Sequence, residues 1–269
     1  MSSSEADDGA TVTRTPTSHI LETLIVNGQH EIEREPTGLL LSGLSAGLDI
    51  GFGPLLMAVL LTLSPGGYGD LTTELLLASA YSVGFIFVIV GRSELFTEHT
   101  TIAVMPVIDN RASVSDLARL WALVYVGNVV GGALFTLFIV ALFPDLGVAS
   151  AEAFAAIAGT LLAHDATWIL VAAILAGWLM GLMAWLLSAA QETTSRLIII
   201  WIVTAAIGLL HLPHSIAGNV EVLFGLFLSP AVTLADYAAF LALATVGNAV
   251  GGVVFVALLK YGHAVRGGD

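Results

Sequence analysis

The sequence predicts an all-α integral membrane protein with six spans, arranged as two copies of a three-span unit. Three observations predict it. Hydrophobic residues make up 57% of the 269 and charged residues only 11%, against about 25% charged in a typical soluble domain. The mean hydropathy is +0.93, and the apolar residues lie in blocks, several longer than the ~18–20 residues that cross a bilayer core. Finally, WALVYVGNVVGGALF at 121–135 recurs as LALATVGNAVGGVVF at 241–255, 120 residues later, an internal repeat.

Residues 1–36 are polar and acidic and lack the apolar core of a signal peptide. They read as a cytoplasmic tail ending in a short amphipathic stretch, 19–26, that lies along the membrane surface. The first span is read at 38–63, the third at 117–143, the fourth at 166–190 and the sixth at 231–261. The second is apolar over 75–90, is interrupted by GRSELFTEHT and resumes as TIAVMPVI; the fifth is apolar over 197–210, is interrupted by HLPHSIAGNVE and resumes as VLFGLFL. The spans form one domain, 37–263, with repeat halves at about 37–143 and 166–262, followed by a cytoplasmic tail at 264–269.

Basic residues set the orientation. Arg14 and Arg34 lie in the N-terminal tail, Arg111 and Arg119 flank the connection between spans two and three, Arg196 follows span four, and Lys260 and Arg266 are at the C-terminal end. The other three connections, at 66–70, at 144–165 and around Ser229, carry none. The bias of basic residues to the inner side puts both termini in the cytoplasm. Arg92 alone is read inside the membrane.

Three spans per half invert the second half relative to the first, with breaks near Thr97 and His214. Broken helices at matching positions mark a solute site near the midplane. Unpaired backbone groups are tolerated there only where protein surrounds them or a polar cavity receives them.

Gly43, Gly47, Gly51, Gly127, Gly131, Gly247 and Gly251 form small-residue faces, read as close helix packing. Asn128 and Asn248 beside them are read as hydrogen-bonding the open backbone of the breaks, with Pro213 ending a half-helix. The first break holds Arg92, Glu94, Thr97, Glu98 and His99. Arg92 is read either as paired with Glu94 or Glu98, or as attracting an anion at a vestibule. In the second break His214 opens a half-helix, where amides favour negative charge; it is read as a pore residue, and His211 less so. Asp49 and Glu221 are intramembrane carboxylates whose partners the sequence does not reveal.

With these motifs in order, the chain resembles the formate/nitrite transporter family over nearly all of 37–263. SELFT at 93–97 is similar to the family's loop in the second span, HSIA at 214–217 to the histidine and small residues in the fifth, and G-N-x-V-G at 127–131 and 247–251 to its third and sixth spans. The resemblance implies an aquaporin-like protomer in a plasma-membrane homopentamer, passing small monovalent anions such as formate, nitrite, acetate, lactate or hydrosulfide. It implies that His214 is the central pore histidine and that Thr97 faces it, with Leu95 and Phe96 at the apolar constriction. Asn219 stands near a family asparagine position. Gly177, Gly218, Arg92 and Glu98 depart from the typical pattern, which marks a divergent branch.

The expected function is therefore a channel or transporter for small weak-acid anions, possible proton transfer at His214 included. The alternative is an aquaporin-like channel for a small neutral solute, although paired Asn-Pro-Ala motifs are absent. With no cysteine, thiolate metal sites and cysteine nucleophiles are excluded, and neither cofactor nor metal is expected. Lys260 at a helix end does not suit a retinal pump, and no enzyme is expected. A net charge of −13 argues against nucleic-acid partners. With a single lysine, it also suggests a high-salt cytoplasm, as in a halophilic archaeon.

Overall fold

The computed structural model describes residues 15–64 and 69–267. Arg14, most of the acidic tail, 65–68 of the first connection and the last two residues lie outside the described residues.

α1 (Thr17–Glu33) buries Ile20, Leu21, Leu24, Ile25, Gly28 and Ile32, one stripe at helical spacing. The stripe packs on Val104, Met105, Trp185, Val256 and Ala257. The amphipathic element is thus longer than 19–26, and protein, not lipid, covers its apolar face.

α2 (Pro36–Ile50) and α3 (Phe52–Leu63) together form one 28-residue apolar stretch. α4 (Leu71–Gly91) starts where the Asp70 side chain accepts from Thr73 N–H. After 92–95 come α5 (Phe96–Ile102) and α6 (Met105–Ile108). α7 (Val114–Leu142) opens with a Ser113/Asp116 capping box, and α12 (Leu234–Val250) opens with the same device from Thr233 and Asp236. Between them lie α8 (Ala151–Leu162), α9 (Ala166–Ala189), α10 (Thr193–Leu209) and α11 (Ser215–Leu228). A π-helical stretch, Gly251–Leu258, joins α12 to α13 (Leu259–Arg266).

Among the described residues, five stretches are long and apolar enough to cross a membrane: Pro36–Leu63, Leu71–Gly91, Val114–Leu142, Ala166–Ala189 and Leu234–Arg266. The segment read as the fifth span consists of two shorter apolar helices, α10 and α11. The protein is a multi-pass, all-helical membrane protein.

The connection read at 144–165 instead contains α8. Its Phe154 ring packs 4.4 Å from Phe224 of α11, so it caps the bundle. Backbones approach closely at the small residues. A Cβ at Gly47 would collide with the Asn128 carbonyl oxygen, and one at Gly177 with that of Asn248, so α2 on α7 and α9 on α12 leave no room for side chains there.

Candidate functional site

The site is built on the two places where a helix stops and another begins. α4 ends with Arg92 in the left-handed conformation (φ 59°), with bonds from Arg92 N to Ile89 O and from Ser93 N to Val88 O. α10 ends in the same way: His211 has φ 49°, and bonds run from His211 N to Gly208 O and from Leu212 N to Ile207 O. This is the Schellman turn, where glycine is the usual residue; a non-glycine there costs about 1–2 kcal/mol. Two such residues in matching turns are held by their surroundings.

The next helices start from the turns with matched support. Asn128 Oδ1 accepts from Phe96 N (2.8 Å), while its Nδ2 donates to Gly43 O (2.9 Å) and Glu94 O (2.8 Å). Asn248 Oδ1 accepts from Ser215 N (2.8 Å), while its Nδ2 donates to Ala173 O (2.8 Å) and Pro213 O (3.0 Å). Each amide therefore satisfies one orphan donor of a helix start and two carbonyls.

His214 and Leu95 are the residues immediately before α11 and α5. Nδ1 of His214 accepts the Ala217 N–H (3.2 Å), and Nε2 lies 2.8 Å from Thr97 Oγ1. An acceptor Nδ1 assigns the ring proton to Nε2, which donates to the threonine. The Phe85 ring stands edge-on to the imidazole at 5.0 Å, and Leu95, Thr97 and His214 are buried. Phe85 carried no signal in the sequence beyond its apolar run. Phe96 is buried with its ring against Trp121 and Tyr125 of α7. The amide of Asn219 is engaged on both sides, receiving Tyr237 Oη (2.7 Å) and donating to Val129 O (3.3 Å), which braces α7, α11 and α12.

The charged groups of the first break are not paired as the sequence suggested. Glu94 is held between Arg34, which precedes α2, and His99 of α5. The arginine paired with Glu94 is thus 60 residues upstream in sequence, and Arg92 is exposed. Arg92, Glu94, Glu98, His99, His30 and Arg196 border a cavity of about 760 Å³. On the side of the other turn, Tyr81, Thr160, His211, Leu212 and Glu221 border a cavity of about 20 Å³. Three buried polar atoms have no hydrogen-bond partner among the described residues: His99 Nδ1, Ser215 Oγ and Glu221 Oε1. No group of three or more histidine, aspartate or glutamate side chains among the described residues is placed to hold a metal.

A family model described as formate/nitrite transporter matches residues 18–262. The chain belongs to the formate/nitrite transporter family. It is 31% identical over 238 residues to the inner membrane protein YfdC of Escherichia coli (strain K12), covering 87% of this chain and 74% of that protein. A solved FNT family ion channel superposes with a TM-score of 0.77 at 25% identity, over 90% of this chain and 97% of that one. A pentameric formate channel with formate bound shares the fold, with a TM-score of 0.72 at 24% identity over 86% and 98% of the two chains. As a member of the formate/nitrite transporter family the chain is a transport protein, not an enzyme.

Proposed function

We propose that this family member passes small monovalent anions of weak acids, formate and nitrite first among them, between the starts of α5 and α11. The observation that carries this reading is the bond between Thr97 and His214, buried where the two helix starts meet and with a cavity bordering each of the two adjoining turns. An anion that enters an apolar stretch loses hydration at large cost. Thr97, Ser215 and His214 offer hydrogen bonds beside Leu95 and Phe85 to offset it.

The arrangement constrains proton chemistry. For His214 to hold an anion as imidazolium, or to hand it a proton, Nδ1 must gain a hydrogen. The Ala217 N–H then loses its acceptor. Charge at His214 and a relaxed start of α11 are therefore coupled in this reading.

The same reading takes 71–108 and 193–228 as the broken second and fifth of six spans in an inverted repeat, within a domain at 37–263. Both termini are cytoplasmic, in keeping with the distribution of basic residues. Arg92 is the cation at the mouth of the larger cavity, and Glu94, paired with Arg34, shapes the loop behind it. A homopentamer in the cell membrane is supported by the pentameric relative and by the exposed apolar residues Val126, Val130, Leu134, Leu137 and Phe138 on α7. Acidic composition supports a divergent, halophilic source.

Uptake of labelled formate and nitrite into proteoliposomes, with and without His214→Asn, tests the reading. Asparagine is a favoured residue before a helix and retains an acceptor for Ala217 N–H, so the fold is spared. Uptake by the wild type that falls at least about tenfold in the variant, about 1.4 kcal/mol, is expected. No uptake by the wild type at any pH, or equal uptake by both, defeats it. Swelling assays with water and glycerol address the neutral-solute alternative, for which no residue here accounts for a central histidine.

A further inference from the structure

Glu221 is used by nothing described so far. It is 5% exposed, borders the smaller cavity, and its Oε1 has no hydrogen-bond partner. It follows His214 by seven residues along α11, about 10 Å at 1.5 Å per residue and about 20° from the same face. Glu221 thus borders this cavity about two turns of α11 from His214.

The surroundings restrict what that carboxyl can accept. α4 contributes Tyr81, the turn after α10 contributes His211, α8 contributes Thr160 and Ile157, and α3 contributes Met57. The His211 imidazole is itself 3.4 Å from Glu74. Among the described residues, the cavity border contains no lysine or arginine. A second full negative charge beside an ionised Glu221 is therefore repelled with little screening, whereas a solute O–H satisfies Oε1 directly.

We infer that Glu221 sets the form in which a weak acid enters from this side, so that the carboxyl of Glu221 and the solute share a single proton. The solute moves on carrying the proton: either it arrives undissociated beside the Glu221 carboxylate, or a protonated Glu221 hands its proton to the anion of a weak acid, which the anion of a strong acid does not accept. Moving the proton between them breaks one O–H bond and forms another, and nothing else is consumed. The small volume suits this, since about 20 Å³ gives room for roughly one molecule the size of water. The inference rests on the anion-transport reading and adds to it a residue that discriminates by acid strength.

Nitrite and nitrate separate the two ideas, being alike in charge and size while only nitrite takes up a proton readily. Both are measured as uptake into proteoliposomes of the full chain at about pH 6 and about pH 7.5, for wild type and Glu221→Gln. The expected wild type prefers nitrite and gains rate as pH falls. The variant is expected to lower the nitrite-to-nitrate ratio about tenfold, about 1.4 kcal/mol, and to flatten the pH dependence. A ratio within about twofold of wild type with the same pH dependence overturns the inference. If Glu221→Gln does not fold, Glu221→Ser is read in the same way. Wild type that carries nitrate as readily as nitrite overturns it without any variant. Absence of both nitrite and formate uptake by wild type instead defeats the anion-transport reading itself.

Discussion

Thr97 Oγ1 lies 2.8 Å from His214 Nε2, so the first turns of two helices 117 residues apart in sequence are tied side chain to side chain in a buried place. Thr97→Val keeps the shape and removes the hydroxyl, leaving Nε2 without its acceptor. A lost partner of this kind costs about 1–3 kcal/mol. Anion uptake should fall about tenfold or more, with a modest drop in melting temperature in detergent. Unchanged uptake would mean that solute does not pass this pair.

The two asparagines bear a different load. Asn248→Leu strips Ser215 N, Ala173 O and Pro213 O of their partner together, at about 1–3 kcal/mol each. We expect little folded protein from it, and the same from Asn128→Leu. Asn248→Asp, which keeps only the acceptor for Ser215 N, should be intermediate in thermal stability. Wild-type melting of Asn248→Leu would refute the bracing role.

Gly177 tests the packing. Its missing Cβ would collide with the Asn248 carbonyl oxygen, part of the backbone that cannot swing aside. Gly177→Val should therefore cost more than the 1–3 kcal/mol typical of overpacking. Gly159 has open space around it, and Gly159→Val in α8 should be well tolerated. Comparing folded yields of the two variants checks this.

Acid should loosen α1. Arg111 donates to both carboxylate oxygens of Glu22 (2.8 and 2.9 Å), and these bonds hold the Glu22 carboxyl below the ordinary carboxylate range. A depressed folded value means that the stabilisation is present above the unfolded value of about 4.3 and is lost as pH falls through the lower, folded one. Amide exchange in α1 should rise over that interval in wild type. In Glu22→Gln it should already be elevated at neutral pH and change less with acid. An identical acid response in both would exclude this pair as the cause.

Hydropathy located the long helices well because apolar blocks are local features of the sequence. It drew the breaks too wide, at 91–100 and 211–221, where the chain leaves helix only over 92–95 and 210–214. Thr97, His99, Ser215 and Asn219 are polar but helical, and buried by protein; hydropathy reports polarity and is blind to backbone conformation. α8 was read as part of a connection because twelve residues cannot cross a bilayer, and nothing local shows that Phe154 meets Phe224. The Arg34 partner of Glu94 was missed for the same reason: it is distant in sequence, whereas Arg92 stands two residues from Glu94. The matched asparagines were legible because the repeat presents them twice.

The π-helical stretch Gly251–Leu258 also fixes a phase. Its widened turn carries what amounts to one inserted residue relative to an α-helix, and the Gly252 carbonyl there accepts the Thr101 hydroxyl at 3.1 Å. Beyond it, Tyr261 Oη reaches Asp109 (2.8 Å) and Lys260 Nζ sits 5.4 Å over the Trp185 ring. Forcing 251–258 into an ordinary α-helix with all its residues kept would rotate everything after it by about 100°, swinging both side chains off their targets, whereas also deleting one residue there would undo most of that rotation. The docking of the C-terminal helix is thus set by how many residues precede it as much as by which they are.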